Sequence, residues 1–194
     1  QNLILLDGVP VYNASHVAGL FSIFNSDAIK TVRLTKGGFP ARFGGRLSSV
    51  LEIDMKEGNM KKFHVEGSVG LISSKLTLEG PIVKDKVSFI VSARRTYADI
   101  LLNAFQGTTN DAIYGDGEND NGYESKGYGT TGGYYFYDLN AKLNYRISNK
   151  DRIYLSGYFG DDIFALDFIG SGSNELEAEE FDFGLGWGNK TAAL

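Results

Sequence analysis

The stretch DAIYGDGENDNGYE, residues 111–124, gathers Asp111, Asp116, Glu118 and Asp120 within a short span. Alternating acids of this kind could supply oxygen ligands to a calcium ion, which takes several at close range. The spacing fails that test. The glycine falls at 122, and no closing bidentate glutamate stands at the required offset. The same loop offers Tyr114, Tyr123 and Tyr128 as stacking faces beside its carboxylates. Tyr114, Asp116, Glu118, Asp120 and Tyr123 are therefore candidates for holding an extracellular ligand such as a sugar or a cationic solute. A second candidate set is Arg42 and Arg46, which flank Phe43-Gly44-Gly45. Guanidinium groups form bidentate pairs with carboxylates. Glu66, Glu79 and Asp138 are the expected partners.

Other chemistry is excluded. The chain has no cysteine, so it has no thiol nucleophile and no cysteine-ligated metal. His16 and His64 have no partner at ligand spacing, and Ser48-Ser49 has no nearby histidine to act as a base. GLGWG (184–188) is followed by no helical pattern and is not a dinucleotide loop. No catalytic residue, cofactor or metal is expected, and the chain is not read as an enzyme. A formal net charge of -5 argues against a nucleic-acid partner.

The elements that must carry these residues are strands. From residue 61 on, side chains alternate with period two. Val87, Phe89, Val91 and Ala93 oppose Ser88, Ile90, Ser92 and Arg94. Tyr135, Tyr137, Leu139, Ala141, Leu143, Tyr145 and Ile147 oppose Phe136, Asp138, Asn140, Lys142, Asn144 and Arg146. Ile153, Leu155 and Phe159 oppose Tyr154, Ser156 and Tyr158, and Phe183, Leu185 and Trp187 oppose Asp182, Gly184 and Gly186. With FHVEGSVGL (63–71) and KLTLEG (75–80), the pattern predicts six strands. A modest turn is expected at 81–86, a short one at 148–151, and long polar loops at 98–132 and 161–179. ADILLNAFQGTTN (98–110) reads as a short helix within the first of these loops.

Alternation alone fits a soluble sandwich or a membrane barrel. Strand 133–147 exceeds the usual length and matches the ~9–11 residues that cross a bilayer core. Tyrosines sit at both ends of its apolar face, where an interfacial girdle would lie. Charged residues occupy the other face, and after the first hairpin, whose turn at 72–74 is short, short turns oppose long loops. Together these favour a transmembrane antiparallel β-barrel. Six strands would leave edges that lipid does not tolerate, so the barrel is expected to be larger than this chain. The alternative is a soluble or non-transport outer-membrane β-protein acting as a binding or adhesion module.

Residues 1–60 read differently. LILLDGVPV suggests a hairpin turning at Asp7-Gly8. NSDAIK (25–30) suggests one helical turn capped by Asn25, Ser26 or Asp27. IKTVRLTK (29–36) and SSVLEIDMKEG (48–58) read as strands around a glycine-rich loop at 36–46. The motifs Asp7-Gly8-Val9-Pro10, Ile29-Lys30-Thr31-Val32, Gly37-Gly38, Phe43-Gly44 and Leu51-Glu52-Ile53-Asp54-Met55-Lys56 come in an order that resembles the latter half of the plug domain of TonB-dependent outer-membrane receptors. Lys30, where that family usually has Glu, and the longer GGRLSSVL depart from the pattern. The form GGFPARFGGRLSSVLEI is similar to receptors with an extra N-terminal carboxypeptidase-like regulatory domain.

The resemblance implies a mainly β protein: residues 1–60 as the C-terminal half of a small α/β plug, and 61–194 as the first six strands of a 22-stranded barrel. It implies active import of a scarce or large solute of the siderophore, cobalamin, glycan or peptide class across the cell outer membrane. The implied partners are the outer-membrane bilayer, the imported solute and the TonB energy-coupling complex, the last through a segment outside this chain. Residues 98–110 could also meet a surface lipoprotein. Arg42 and Arg46 would tie the plug to wall carboxylates.

Overall fold

The computed structural model describes residues 2–16, 19–38, 40–45, 48–97, 100, 129–171 and 178–194. The protein is mainly β. Its described strands form three sheets: a four-stranded sheet, a six-stranded sheet and a two-stranded hairpin.

The chain opens with β1 (Leu3–Leu6) and β2 (Val9–Pro10). Asp7 and Gly8 turn the hairpin with φ of 46° and 85°. Two successive positive φ angles match the twist of flanking strands, and Asp-Gly is a pair that tolerates them. β3 (Ser15–His16) and β4 (Phe21–Ser22) make a second small hairpin that the sequence pattern does not announce. A single 3-10 turn at Ser26–Ala28 follows, with the Asn25 side chain accepting from the Asp27 amide at 3.2 Å. β5 (Ile29–Lys36) then pairs antiparallel with β6 (Ser49–Met55), and β1 lies parallel to β6 on its other side. The order is β2-β1-β6-β5. Leu6, Val11, Ile23, Ala28, Ile53 and Met55 close an apolar core within this N-terminal body, and Tyr158 from a later strand joins it.

The six-stranded sheet runs β7 (His64–Val69), β8 (Ser73–Val83), β9 (Val87–Thr96), β10 (Gly129–Arg146), β11 (Arg152–Ser171) and β12 (Ala178–Ala193), each hydrogen-bonded to the next in sequence. Its turns differ from expectation in two places. β8 continues through Pro81 to Val83, so the turn narrows to 84–86, with Asp85 at φ 61°. The long acidic loop expected at 161–179 is mostly strand, because β11 runs on to Ser171 and β12 resumes at Ala178. The acids that suggested a loop have strand neighbours to bind: Tyr137 donates to Asp161 at 2.8 Å, and Tyr134 donates to Asp162. The helix expected within 98–110 lies outside the described residues, apart from Ile100.

The chain divides into two compact units. One comprises Gln1–Arg95, Phe136–Asp161 and Gly188–Leu194; the other comprises Thr96–Tyr135 and Asp162–Trp187. The N-terminal body and the adjoining parts of all six sheet strands belong to the first. Within the first unit, residues 56–59, on the segment that leads from the N-terminal body to the six-stranded sheet, press on β9. Ser88 Oγ donates to the Glu57 carbonyl at 2.7 Å. Gly58 has φ of 79°, and a Cβ there would lie 2.3 Å from the Phe89 carbonyl oxygen. Replacing Gly58 by Ala therefore strains the backbone and forces it off β9. Gly58→Ala is expected to cost more than ~1 kcal/mol, read as a lower denaturant midpoint with an unchanged slope.

Candidate functional site

The six-stranded sheet sorts its side chains by face. On β9 and β10 the buried face is mostly polar, with Ser88, Ser92, Asp138, Asn140, Lys142 and Asn144 beside the apolar Ile90 and Phe136. The apolar alternates Val87, Phe89 and Val91 of β9 are half-buried, and those of β10 are more open. Leu139 is 41% exposed and Leu143 40%, against 2% for Asp138 and 6% for Lys142. On β11, Ile153 and Leu155 are exposed while Ser156 and Tyr158 are buried. The polar face is covered by the N-terminal body, so the contact between body and sheet is a seam of hydrogen bonds and ion pairs.

Three groups of contacts make that seam. The upper group centres on Asp138. Its carboxylate meets His16 Nε2 from β3 at 2.7 Å, Tyr158 Oη from β11 at 2.7 Å and Arg94 Nε from β9 at 2.7 Å. The His16 ring stacks on Phe136 with centroids 4.0 Å apart, and the Arg94 guanidinium lies 5.1 Å from the same ring. Arg94 also donates to the Ser22 carbonyl at 2.6 Å. One carboxylate thus gathers donors from three strands and satisfies a buried charge that would otherwise be costly.

The middle group ties the capping turn to the sheet. Asn25 Nδ2 donates to Ser92 Oγ at 2.6 Å, and Ser92 Oγ contacts Thr77 Oγ1 at 2.7 Å. Lys75 reaches Asp27 at 2.7 Å. Asn25 therefore serves twice, its oxygen capping the turn and its amide nitrogen docking on β9.

The lower group begins at the first hairpin. Lys142 Nζ lies 2.9 Å from Asp7 Oδ1, with both side chains buried, and 4.2 Å from the centroid of the Tyr154 ring. The same Asp7 oxygen accepts from the Met55 amide at 3.0 Å. Below it Glu57 bridges Lys30 at 3.0 Å and Arg152, at the start of β11, at 2.7 Å. Burial alone would push the Glu57 carboxyl up. The Lys30 hydrogen bond and the charges of Lys30, Arg152 and Lys142 outweigh burial and hold it below the usual carboxylate range. Along the seam Asp7 Oδ2, Asn140 Nδ2, Asn144 Nδ2 and Arg146 Nε are buried without a protein partner among the described residues. Buried polar groups need partners, so water has hydrogen bonds to make here.

The sequence-derived site residues fall as follows. Asp138 does meet the N-terminal body, through His16 rather than through an arginine. Arg42 does not reach the sheet. Its loop folds over β6, where Arg42 contacts Glu52 at 3.4 Å and stacks on Phe43 at 4.5 Å. Glu79 is opposite His64 on β7, their side chains 3.7 Å apart, and Glu66 is exposed on the same strand. Arg46 and the loop set Tyr114, Asp116, Glu118, Asp120 and Tyr123 lie outside the described residues. On β12 the faces also differ from expectation. Asn189 donates to the Asn13 carbonyl, so the body-facing parity is odd there, the parity of Phe183, Leu185 and Trp187. His16, Asp7, Asn25, Lys75 and Lys142 are the seam residues that spacing alone did not pick out. No group of His, Asp and Glu suited to a metal ion occurs among the described residues.

No protein-family model matches the sequence, and a search of curated proteins finds no match. Among solved structures, the siderophore receptor PirA from Acinetobacter baumannii superposes with a TM-score of 0.46 and 18% identity. The alignment covers 89% of this chain and 30% of that one, so this chain spans less than a third of that receptor.

Two outcomes follow from the seam. Asp138→Ala removes the buried carboxylate that Arg94, His16 and Tyr158 share and is expected to cost about 3–5 kcal/mol, measured by denaturant unfolding, with His16→Ala costing about 1–3 kcal/mol. Glu57 has a lowered carboxyl in the folded protein, so its stabilising effect is complete above the ordinary value of ~4.3 and fades as pH falls through the lowered one. The stability gap between wild type and Glu57→Gln should therefore be constant from neutral pH down to ~4.5 and shrink below it.

Proposed function

We propose that residues 1–60 are the C-terminal half of a plug domain, that residues 61–194 are the first wall strands of an outer-membrane barrel, and that the full-length protein is a TonB-dependent receptor. It would import a scarce or large solute of the siderophore, cobalamin, glycan or peptide class. The observation that carries this reading is the reversed burial of β10 and β11. A sheet that hides Asp138, Asn140, Lys142 and Asn144 while it exposes Leu139, Leu143, Ile153 and Leu155 suits hydrocarbon outside and a polar filling inside. A soluble sandwich or adhesin module would require the opposite sorting.

Further features support the reading. β7 and β12 end the sheet on edges unpaired among the described strands, which lipid does not accept, so other strands of the full-length wall would close them. Turns 84–86 and 147–151 are short, whereas the connection from β9 to β10 is long, as in barrels with short periplasmic turns and long outer loops. The motif order in residues 1–60 resembles the plug, and GGFPARFGGRLSSVLEI resembles the subclass with a regulatory N-terminal domain. On this reading the site at the seam fastens plug to wall, and Tyr114, Asp116, Glu118, Asp120 and Tyr123 are ligand candidates in an extracellular loop. The partners are the outer-membrane bilayer, the energy-coupling complex and the imported solute, with a surface lipoprotein proposed at 98–110.

Two measurements test this. Leu143→Arg places a charge near mid-bilayer and should destabilise the full-length protein in lipid vesicles by about 2–4 kcal/mol. Cells that depend on the full-length protein for a scarce solute should stop taking it up when the energy-coupling protein is deleted. Unchanged stability of the variant, or uptake that persists after the deletion, would refute the proposal.

A further inference from the structure

The outward face of the sheet is not apolar throughout. On the β9 edge of one level stands Arg95, exposed, directly across from Tyr137 in the β9–β10 register. Below it on the same face come Ala93, Val91, Phe89 and Val87. Tyr137 packs against Phe159 of β11 with ring centroids 5.7 Å apart and donates to Asp161 at 2.8 Å. On β12 the ammonium of Lys190, exposed, lies 4.9 Å from the Phe159 ring centroid. Four strands therefore contribute polar or charged groups to one line, and beneath it the outward residues of β10 are Leu139, Ala141, Leu143, Tyr145 and Ile147.

The height of that line is informative. At ~3.3 Å per residue the strand from Ile147 to Tyr137 runs ~33 Å. Tilted by ~40°, it rises ~25 Å, the height of the apolar band of an outer-membrane barrel. Resting on the membrane reading above, we propose that Arg95 and Lys190 bind the phosphate-bearing anionic headgroups of the outer leaflet, on either side of the Tyr137–Phe159–Asp161 cluster. A cation at the edge of a hydrocarbon layer extends its stem along apolar surface and its charge into the headgroups. The anion at that depth is lipid phosphate. Among the described residues of the line Asp161 is the carboxylate, and it accepts from the Tyr137 hydroxyl. The aromatic rings supply the amphipathic bodies that suit this layer.

This chain has no cysteine, and any cysteine elsewhere in the full-length protein is replaced by serine, so that a single introduced cysteine carries the label. The full-length protein is reconstituted in phosphatidylcholine vesicles with and without phosphatidylglycerol. Lipids retained after transfer to mild detergent are counted by native mass spectrometry, and a fluorophore at Leu143→Cys reports depth through quenchers placed along the acyl chain. Wild type should retain phosphatidylglycerol over phosphatidylcholine. The double variant Arg95→Gln, Lys190→Gln should lower that preference about 10- to 30-fold while the Leu143 label stays deep. A preference that survives the double variant, or none in wild type, overturns the headgroup assignment and leaves the membrane reading standing. A Leu143 label that reports water overturns both.

Discussion

A carboxylate and an ammonium group, Asp138 and Lys142, lie out of water on the same face of β10. Removing charge from water is expensive unless close partners replace the lost hydration. Two elements of the N-terminal body answer that demand. His16 is delivered to Asp138 by a small hairpin, and Asp7 is delivered to Lys142 by a tight turn. Those turns need their own chemistry, so the Asp7-Gly8 hairpin and the Asn25 cap are set by local rules before they are used at the seam.

This arrangement separates two kinds of cohesion. The body holds itself together with aliphatic packing among Leu6, Val11, Ile23, Ile53 and Met55. It meets the sheet mainly with hydrogen bonds and charge pairs, joined by Phe136 of β10, which packs on His16 and Phe21, and by Tyr158 of β11, which enters its core. Apolar packing resists separation in water, whereas hydrogen bonds exchange with water at modest net cost. A body joined in this way keeps its own shape while its attachment is open to rearrangement.

The outline was legible in the sequence because it rests on local rules. Period two over 87–97 and 133–147 announced β9 and β10 and their two faces. Asp7-Gly8 announced a hairpin, and Asn25 a cap. What stayed hidden depends on distance along the chain. His16 and Asp138 are 122 positions apart, and nothing near either names the other. Arg42 looked available for a distant carboxylate, but Glu52 on the neighbouring strand was nearer. The stretch 161–171 looked like a loop because its acids were weighed without the tyrosine hydroxyls of β10 beside them. On β12, glycines between aromatic residues left the two faces without a polarity contrast to read, and the contact from Asn189 to Asn13 settles the parity.

The orientation of β10 is the central claim. Nuclear Overhauser contacts in a nanodisc, with methyl groups labelled at Leu139, Leu143 and Leu155, test it most directly. The account predicts cross-peaks from all three to lipid acyl chains and none to methyls of residues 1–60. Strong cross-peaks from these leucines to a second protein layer, without lipid contacts, would contradict it.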